Sequence, residues 1–153
     1  MRPPLPPPPP GRMTLTQASC VAVGMRGLLV TGAPGAGKSL LCLRMIALGA
    51  RLVADDGVIL RRAGSRLIAV APAAIAGRIE ARGIGLVQMP RVRDIPLELH
   101  VDLDEPEPDR LPPPRFRSLL DVELRSLRGR GHPDLAATLT AALRPGARLL
   151  EIP

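Results

Sequence analysis

Apolar residues run through this chain in short blocks broken by glycine, proline and charge, a pattern of many strands and few helices. Cys20-Val21-Ala22-Val23 and Leu28-Leu29-Val30-Thr31 flank Gly24-Met25-Arg26-Gly27, which predicts a hairpin. Leu40 to Leu48 is an apolar run that fits a buried helix stopping at Gly49. Leu52-Val53-Ala54 reads as a buried strand ending at Asp55-Asp56-Gly57. Val58-Ile59-Leu60 and Leu67-Ile68-Ala69-Val70-Ala71 form a second expected hairpin, turning near Gly64-Ser65. From Ile95 to Leu103 the alternation of Leu97, Leu99, Val101 and Leu103 predicts a strand with one buried face.

Residues 104–114 are acidic and proline-rich and are expected to form an exposed loop. Leu119 to Leu127 is expected to be the last strand. Pro133 to Leu143 is expected to be a helix with proline in its first turn and Asp134 nearby. At the other end, residues 1–13 are a proline-rich, disordered arm, either an SH3-type ligand or a leader upstream of a start at Met13. Residues 14–153 then make one α/β domain with a mixed sheet and few helices, and no repeat is visible.

Composition changes this picture in three ways. Phe116 is the only aromatic residue, so the core must be built from aliphatic side chains. The net charge of +7 raises a nucleic-acid reading, but the arginines are scattered and no aromatic platforms accompany them, which argues for background composition. Cys20 and Cys42 lack metal-ligand spacing and sit in apolar surroundings, as free thiols do in a reducing cytoplasm. The N-terminus has no signal-peptide apolar stretch, and no apolar run reaches the length of a membrane span. A cytoplasmic protein with no nucleic-acid or membrane partner is expected.

Lys38 is the single lysine among 21 basic residues, and its setting is specific. Gly32-Ala33-Pro34-Gly35-Ala36-Gly37-Lys38-Ser39 satisfies G-x-x-x-x-G-K-[ST], with a strand before it and an apolar helix after it. Glycines let backbone N–H groups turn inward as an anion nest, which the helix N-terminus reinforces. Lys38 adds a point charge for outer phosphates, and the Ser39 hydroxyl can ligate Mg²⁺. Random order of this composition would give the pattern with a probability of about 6 in 10,000.

Asp55-Asp56 closes the strand after the helix, so both carboxylates can emerge beside the phosphates, one as a base and the other orienting metal or substrate. A plain Asp-Gly turn is the alternative, and Asp102 after Leu99-His100-Val101 is a rival acid. Glu80 and Arg82 stand two residues apart, on one side if the segment is extended.

In order and spacing, Leu28 to Ser39, Arg51 to Asp56, and Glu80-Ala81-Arg82-Gly83-Ile84-Gly85 resemble the catalytic domain of HPr kinase/phosphorylase. More narrowly they resemble the short alphaproteobacterial form without the family's N-terminal domain, over roughly residues 14–112. The resemblance implies a P-loop nucleotide-binding fold of the HPr kinase and phosphoenolpyruvate carboxykinase type. It implies that ATP and Mg²⁺ are used to phosphorylate a serine of HPr, the small phosphocarrier of phosphotransferase systems. Many members reverse the reaction by phosphorolysis, and members form hexamers. By the same resemblance Lys38 and the loop backbone hold phosphates, and Ser39 and Glu80 serve Mg²⁺. Asp55 is then the proton acceptor with Asp56 in support, while Arg82 and Arg110 face phosphate or transition-state charge.

The chain departs from the family pattern in three places. Gln17 stands where family members carry a His beside the catalytic Asp; Gln can hydrogen-bond a phosphate but carries neither proton nor charge. Leu40 follows Ser39 where an acid is common, and the segment around Arg128 to His132 lacks the usual ending. Neither His100 nor His132 replaces the missing His by spacing. Two other readings therefore stand beside the kinase: a nucleotide-binding sensor that transfers no phosphate, and an unrelated small-molecule kinase, for which residues 57–89 leave little room for a helical lid.

Overall fold

The computed structural model describes residues 2–4 and 11–150; most of the proline-rich arm lies outside the described residues. The chain forms eleven strands and two α-helices among them, a mixed sheet with few helices. The opening strand β1 (Arg12–Leu15) pairs antiparallel with β5 (Val58–Ala63), so Arg12 and Met13 belong to the fold and not to the arm. The first hairpin, β2 (Ala18–Val23) and β3 (Arg26–Thr31), is as expected, and so is the second, β5 with β6 (Arg66–Val70).

Helix α1 (Lys38–Ala47) starts at the lysine itself, two residues before the apolar run. It is buried along Leu41, Cys42 and Met45, while Leu40 and Leu48 are exposed, so the helix is one-sided and not buried all round. Strand β4 (Arg51–Ala54) pairs with β2 and ends the sheet on that side. A separate two-stranded ribbon, β7 (Arg78–Ala81) with β8 (Gly85–Gln88), packs against α1.

The central strand β9 (Ile95–Pro106) pairs with β6 at its start and runs parallel to β3 beyond it. It continues through Asp104, Glu105 and Pro106, where the sequence pattern predicts a loop, so the irregular connection is confined to residues 107–114. A register shift places Leu97 opposite Gly27 but Leu99 opposite Leu28, a bulge that inserts one residue into β9. A Cβ on Gly27 would come 2.9 Å from the Pro96 carbonyl oxygen, so glycine permits this close approach. The bulge divides the alternating leucines between two cores: Ile95 and Leu97 pack on one side, Leu99, Val101 and Leu103 on the other. The second group shares its core with α1 and α2 (Leu135–Ala142).

The expected single strand over 119–127 is instead a hairpin, β10 (Arg115–Leu119) and β11 (Val122–Arg130). Leu120 and Asp121 form its tight turn, both with positive φ (50° and 60°), as a two-residue type I′ turn demands. Leucine is an unusual residue for that position, so turn chemistry gave no warning. Strand β11 lies parallel to β9 on the side away from β3. Among the described residues no helix is long and apolar enough to cross a membrane.

Candidate functional site

The ends of β2, β3, β4 and β9 and the start of α1 meet at one edge of the sheet, where Gly32–Ser39 links β3 to α1. Gly35 and Gly37 hold φ of 85° and 100°, and nothing lies within 4 Å of where a Cβ would stand on either. Gly37 caps α1 without any side-chain hydrogen bond, leaving the helix N-terminus open to an anion. The Lys38 ammonium lies across the loop, donating to the carbonyls of Gly32 (2.7 Å) and Ala33 (3.1 Å). Ala36 N donates to the Ala33 carbonyl, turning the loop over Pro34 and Gly35. A positive side chain, a helix N-terminus and two glycines facing open space are the donor set that phosphate oxygens require.

Asp55 is the most connected side chain of the site. Its carboxylate is 5 % exposed and accepts hydrogen bonds from Ser19 Oγ (2.7 Å), Ser39 Oγ (2.8 Å) and Glu80 N (3.2 Å). Those donors come from β2, α1 and β7, so one buried charge ties three elements together and is satisfied without a cation. Ser19 went unnoticed in the sequence; the available signal was one hydroxyl inside a strand whose six residues are all buried. Beside it Asp56 is exposed, in the left-handed region at φ 58°, with its backbone N–H 3.4 Å from Ser19 Oγ. Gln17 shares that strained backbone at φ 54°. Among the described residues five non-glycines have positive φ; one, Asp56, follows Asp55, and another, Gln17, precedes β2, the strand paired with β4, and such strain concentrates at functional sites.

The other nominated residues are placed less centrally. Glu80 reaches Asp55 through its backbone N–H, and its exposed side chain makes no described contact with Ser39 or Asp55. Arg82 sits in the exposed turn between β7 and β8, so it does not share an extended face with Glu80. Arg110 lies exposed in the 107–114 connection and makes no described hydrogen bond to the loop. Asp102 stands opposite Thr31 in the parallel register of β9 and β3. Asp104, two residues on, accepts from Ala33 N with both carboxylate oxygens (2.9 and 3.1 Å) and so holds the start of the loop. Sequence spacing nominated Asp102 and missed Asp104, because β9 runs past Leu103, where the sequence pattern ends the strand, and brings Asp104, on the same face as Asp102, level with Ala33.

Among the described residues no three His, Cys, Asp or Glu side chains gather closely enough to hold a metal by themselves. The Ser39 hydroxyl, held by Asp55, nonetheless suits Mg²⁺, which takes one or two protein oxygens and completes its shell with phosphate and water. Cys42 packs under the site as a free thiol; burial, helped by the Asp55 charge, pushes it well up, away from nucleophile chemistry. Thr31, Gln17, Ala33, Asp102, Asp104 and Arg117 line a cleft of about 400 Å³ beside the loop.

Known proteins carry the same arrangement of sequence and fold. A protein named HPr kinase/phosphorylase from Geobacillus thermodenitrificans is 34 % identical over 139 residues, covering 82 % of this chain and 41 % of that protein. One of the same name from Clostridium tetani is 42 % identical over 64 residues, or 42 % of this chain and 21 % of the relative. The chain thus spans less than half the length of these relatives. The solved structure of the Hpr(Ser) kinase/phosphatase from Coxiella burnetii superposes with a TM-score of 0.74 at 26 % identity, covering 84 % of this chain and 92 % of that one. The family model for the HPr Serine kinase C-terminal domain matches residues 12–95, more than half of the chain and every element from β1 to the start of β9. On that match the chain belongs to the HPr serine kinase C-terminal domain family.

Proposed function

We propose that this chain is an ATP- and Mg²⁺-dependent serine kinase that phosphorylates an HPr-like phosphocarrier protein in the cytoplasm. The observation that carries the reading is the convergence of Ser39 and Asp55 at 2.8 Å beside the Gly32–Ser39 loop. It supports a phosphate loop whose serine and acid face one metal position. In this reading Lys38 and the loop N–H groups from Gly35 to Ser39 bind the nucleotide phosphates. Ser39 would hold Mg²⁺, its hydroxyl positioned by Asp55, and the ion would neutralise developing phosphoryl charge. Glu80 would join them by turning its exposed side chain, its backbone being already fixed to Asp55.

Asp55 is the proton acceptor of the serine hydroxyl. Its oxygens already accept from two seryl hydroxyls, the same group that an incoming serine presents. Asp56 supports it from the solvent side, and Arg82 and Arg110 approach phosphate from their exposed segments when the protein substrate docks. The experiment is transfer of labelled γ-phosphate from ATP to HPr, with Lys38→Ala as control. Labelled phosphoserine that depends on Lys38 is the expected result; ATP that does not bind sinks the reading.

A second reading, a sensor that binds nucleotide without transfer, is favoured by one observation: Gln17 occupies the rim of the cleft and cannot relay a proton. Lys38-dependent ATP binding with no labelled HPr would select it. Gain of phosphorolysis in Gln17→His would instead show that the substitution limits only the reverse reaction.

A further inference from the structure

Arg117 belongs to β10, the strand that sequence patterning did not reveal, and its side chain crosses β11 and β9 to reach the cleft beside the loop. Its Nη1 stands 3.4 Å from Thr31 Oγ1 and 3.4 Å from His100 Nε2. Both partners are neutral. Burial, and then the Arg117 charge itself, lowers His100 to about 4, so the imidazole is uncharged near neutrality. Two long bonds leave most of the five guanidinium donors unused.

The acids in the same cleft make no direct contact with it. Asp102 accepts from Asp104 N, and Asp104 is occupied by Ala33 N, and among the described residues neither forms an ion pair with Arg117. Two other arginines of this sheet are engaged: Arg26 pairs with Glu98 and caps the carbonyls after α2, and Arg115 pairs with Glu107. A half-buried guanidinium without an ion pair among the described residues, next to Thr31, the residue before the loop, has donors to offer an anion.

We propose that Arg117 binds phosphoryl oxygen in this cleft and supplies the cation on the side where Gln17 offers none. The inference rests on the phosphate-loop reading above. Its ligand class is a phosphate monoester or inorganic phosphate, and two sources share that chemistry: the γ-phosphate of the nucleotide, and the phosphate on the serine product or free in solution. A planar fork suits such a group better than a point charge, so Lys is not equivalent at this position.

Calorimetric titration of the whole chain with MgATP, MgADP and inorganic phosphate tests this, using Arg117→Gln, Arg117→Lys and Lys38→Ala. The expected result is a loss of about tenfold or more in affinity for either inorganic phosphate or ATP in Arg117→Gln, with ADP unchanged. Loss for inorganic phosphate assigns the product phosphate, and loss for ATP alone assigns the γ-phosphate. Arg117→Lys should recover only part, and it carries the comparison if the Gln variant does not fold. Unchanged binding of all three ligands overturns the proposal while Lys38→Ala still reports on the loop. Equal loss of ATP and ADP also overturns it, since that marks a distorted loop. A wild-type chain that binds no nucleotide defeats the underlying reading instead.

Discussion

Ser39 Oγ lies 2.8 Å from one oxygen of Asp55 and 3.1 Å from the other, joining the first turn of α1 to the end of β4. The bond holds the carboxylate in place, and in the kinase reading it thereby fixes where a reacting hydroxyl would sit. Asp55→Asn keeps the size of the side chain and removes its charge. We expect it to lower phosphoryl transfer to HPr by roughly 10²–10⁴-fold, the usual contribution of a positioned base. Asp56→Asn, at an exposed position, should cost far less. Rates of labelled HPr formation by the two variants decide this, and equal losses would remove the distinction between them.

Ser19 offers a separate test of the same carboxylate. Its hydroxyl is fully buried and bonds both Asp55 and the backbone of Asp56. Ser19→Ala leaves a buried charge short of one donor, which should destabilise the fold by about 1–3 kcal/mol. Urea denaturation of the variant against the parent measures it. A change within a few tenths of a kcal/mol would mean that the bond is dispensable.

Asp104 is expected to act through the loop and not on the phosphate. Its two oxygens hold Ala33 N, where a Cβ on neighbouring Gly32 would already press within 3.2 Å of the Leu103 Cβ. Losing a charge-assisted bond of this kind costs about 1.5–3 kcal/mol when the partner is buried and less when it is exposed, as here. Asp104→Ala should therefore weaken ATP binding by about three- to tenfold. Asp104→Asn, which keeps one acceptor oxygen, should recover part of the loss. Fluorescent-nucleotide titration measures both, and unchanged affinity would show that the loop holds its shape unaided.

Much of the site was legible because its chemistry is local. The motif from Gly32 to Ser39 is contiguous, and Asp55 and Asp56 follow a strand whose burial shows in Leu52-Val53-Ala54. The hairpins around Gly24 and Gly64 announced themselves through glycine at positive φ. What the sequence concealed is non-local. Arg117 reaches the cleft only because β10 and β11 fold back beside β9, and that hairpin turns at Leu120-Asp121, with leucine where glycine or asparagine is usual. The bulge opposite Gly27 likewise leaves the leucine alternation intact in sequence while sending its two halves to different cores. The contact between Asp104 and Ala33 depends on that register, so no spacing rule along the chain could have found it.

His100 links these strands and makes the fold sensitive to acid. The ring is 2 % exposed, between Thr31 Oγ1 (2.6 Å) on β3 and Ser126 Oγ (2.7 Å) on β11. Arg117 faces it at 3.4 Å, and the more distant Asp102 acts weakly the other way. Burial followed by the Arg117 charge lowers its pKa from 6.5 to about 4. The unfolded chain therefore binds a proton at a higher pH than the folded one. Stability from a neutral His100 is present above about 6.5 and is lost as the pH falls from there toward 4. Between pH 7 and pH 5 the loss is about 2 kcal/mol. Urea unfolding at those two pH values should show it, with His100→Gln as the comparison because carboxylates titrate in both proteins. The variant should be less stable at pH 7 but should lose about 2 kcal/mol less on acidification. An identical pH dependence in the two proteins would mean that the imidazole takes up its proton without leaving its place between Thr31 and Ser126.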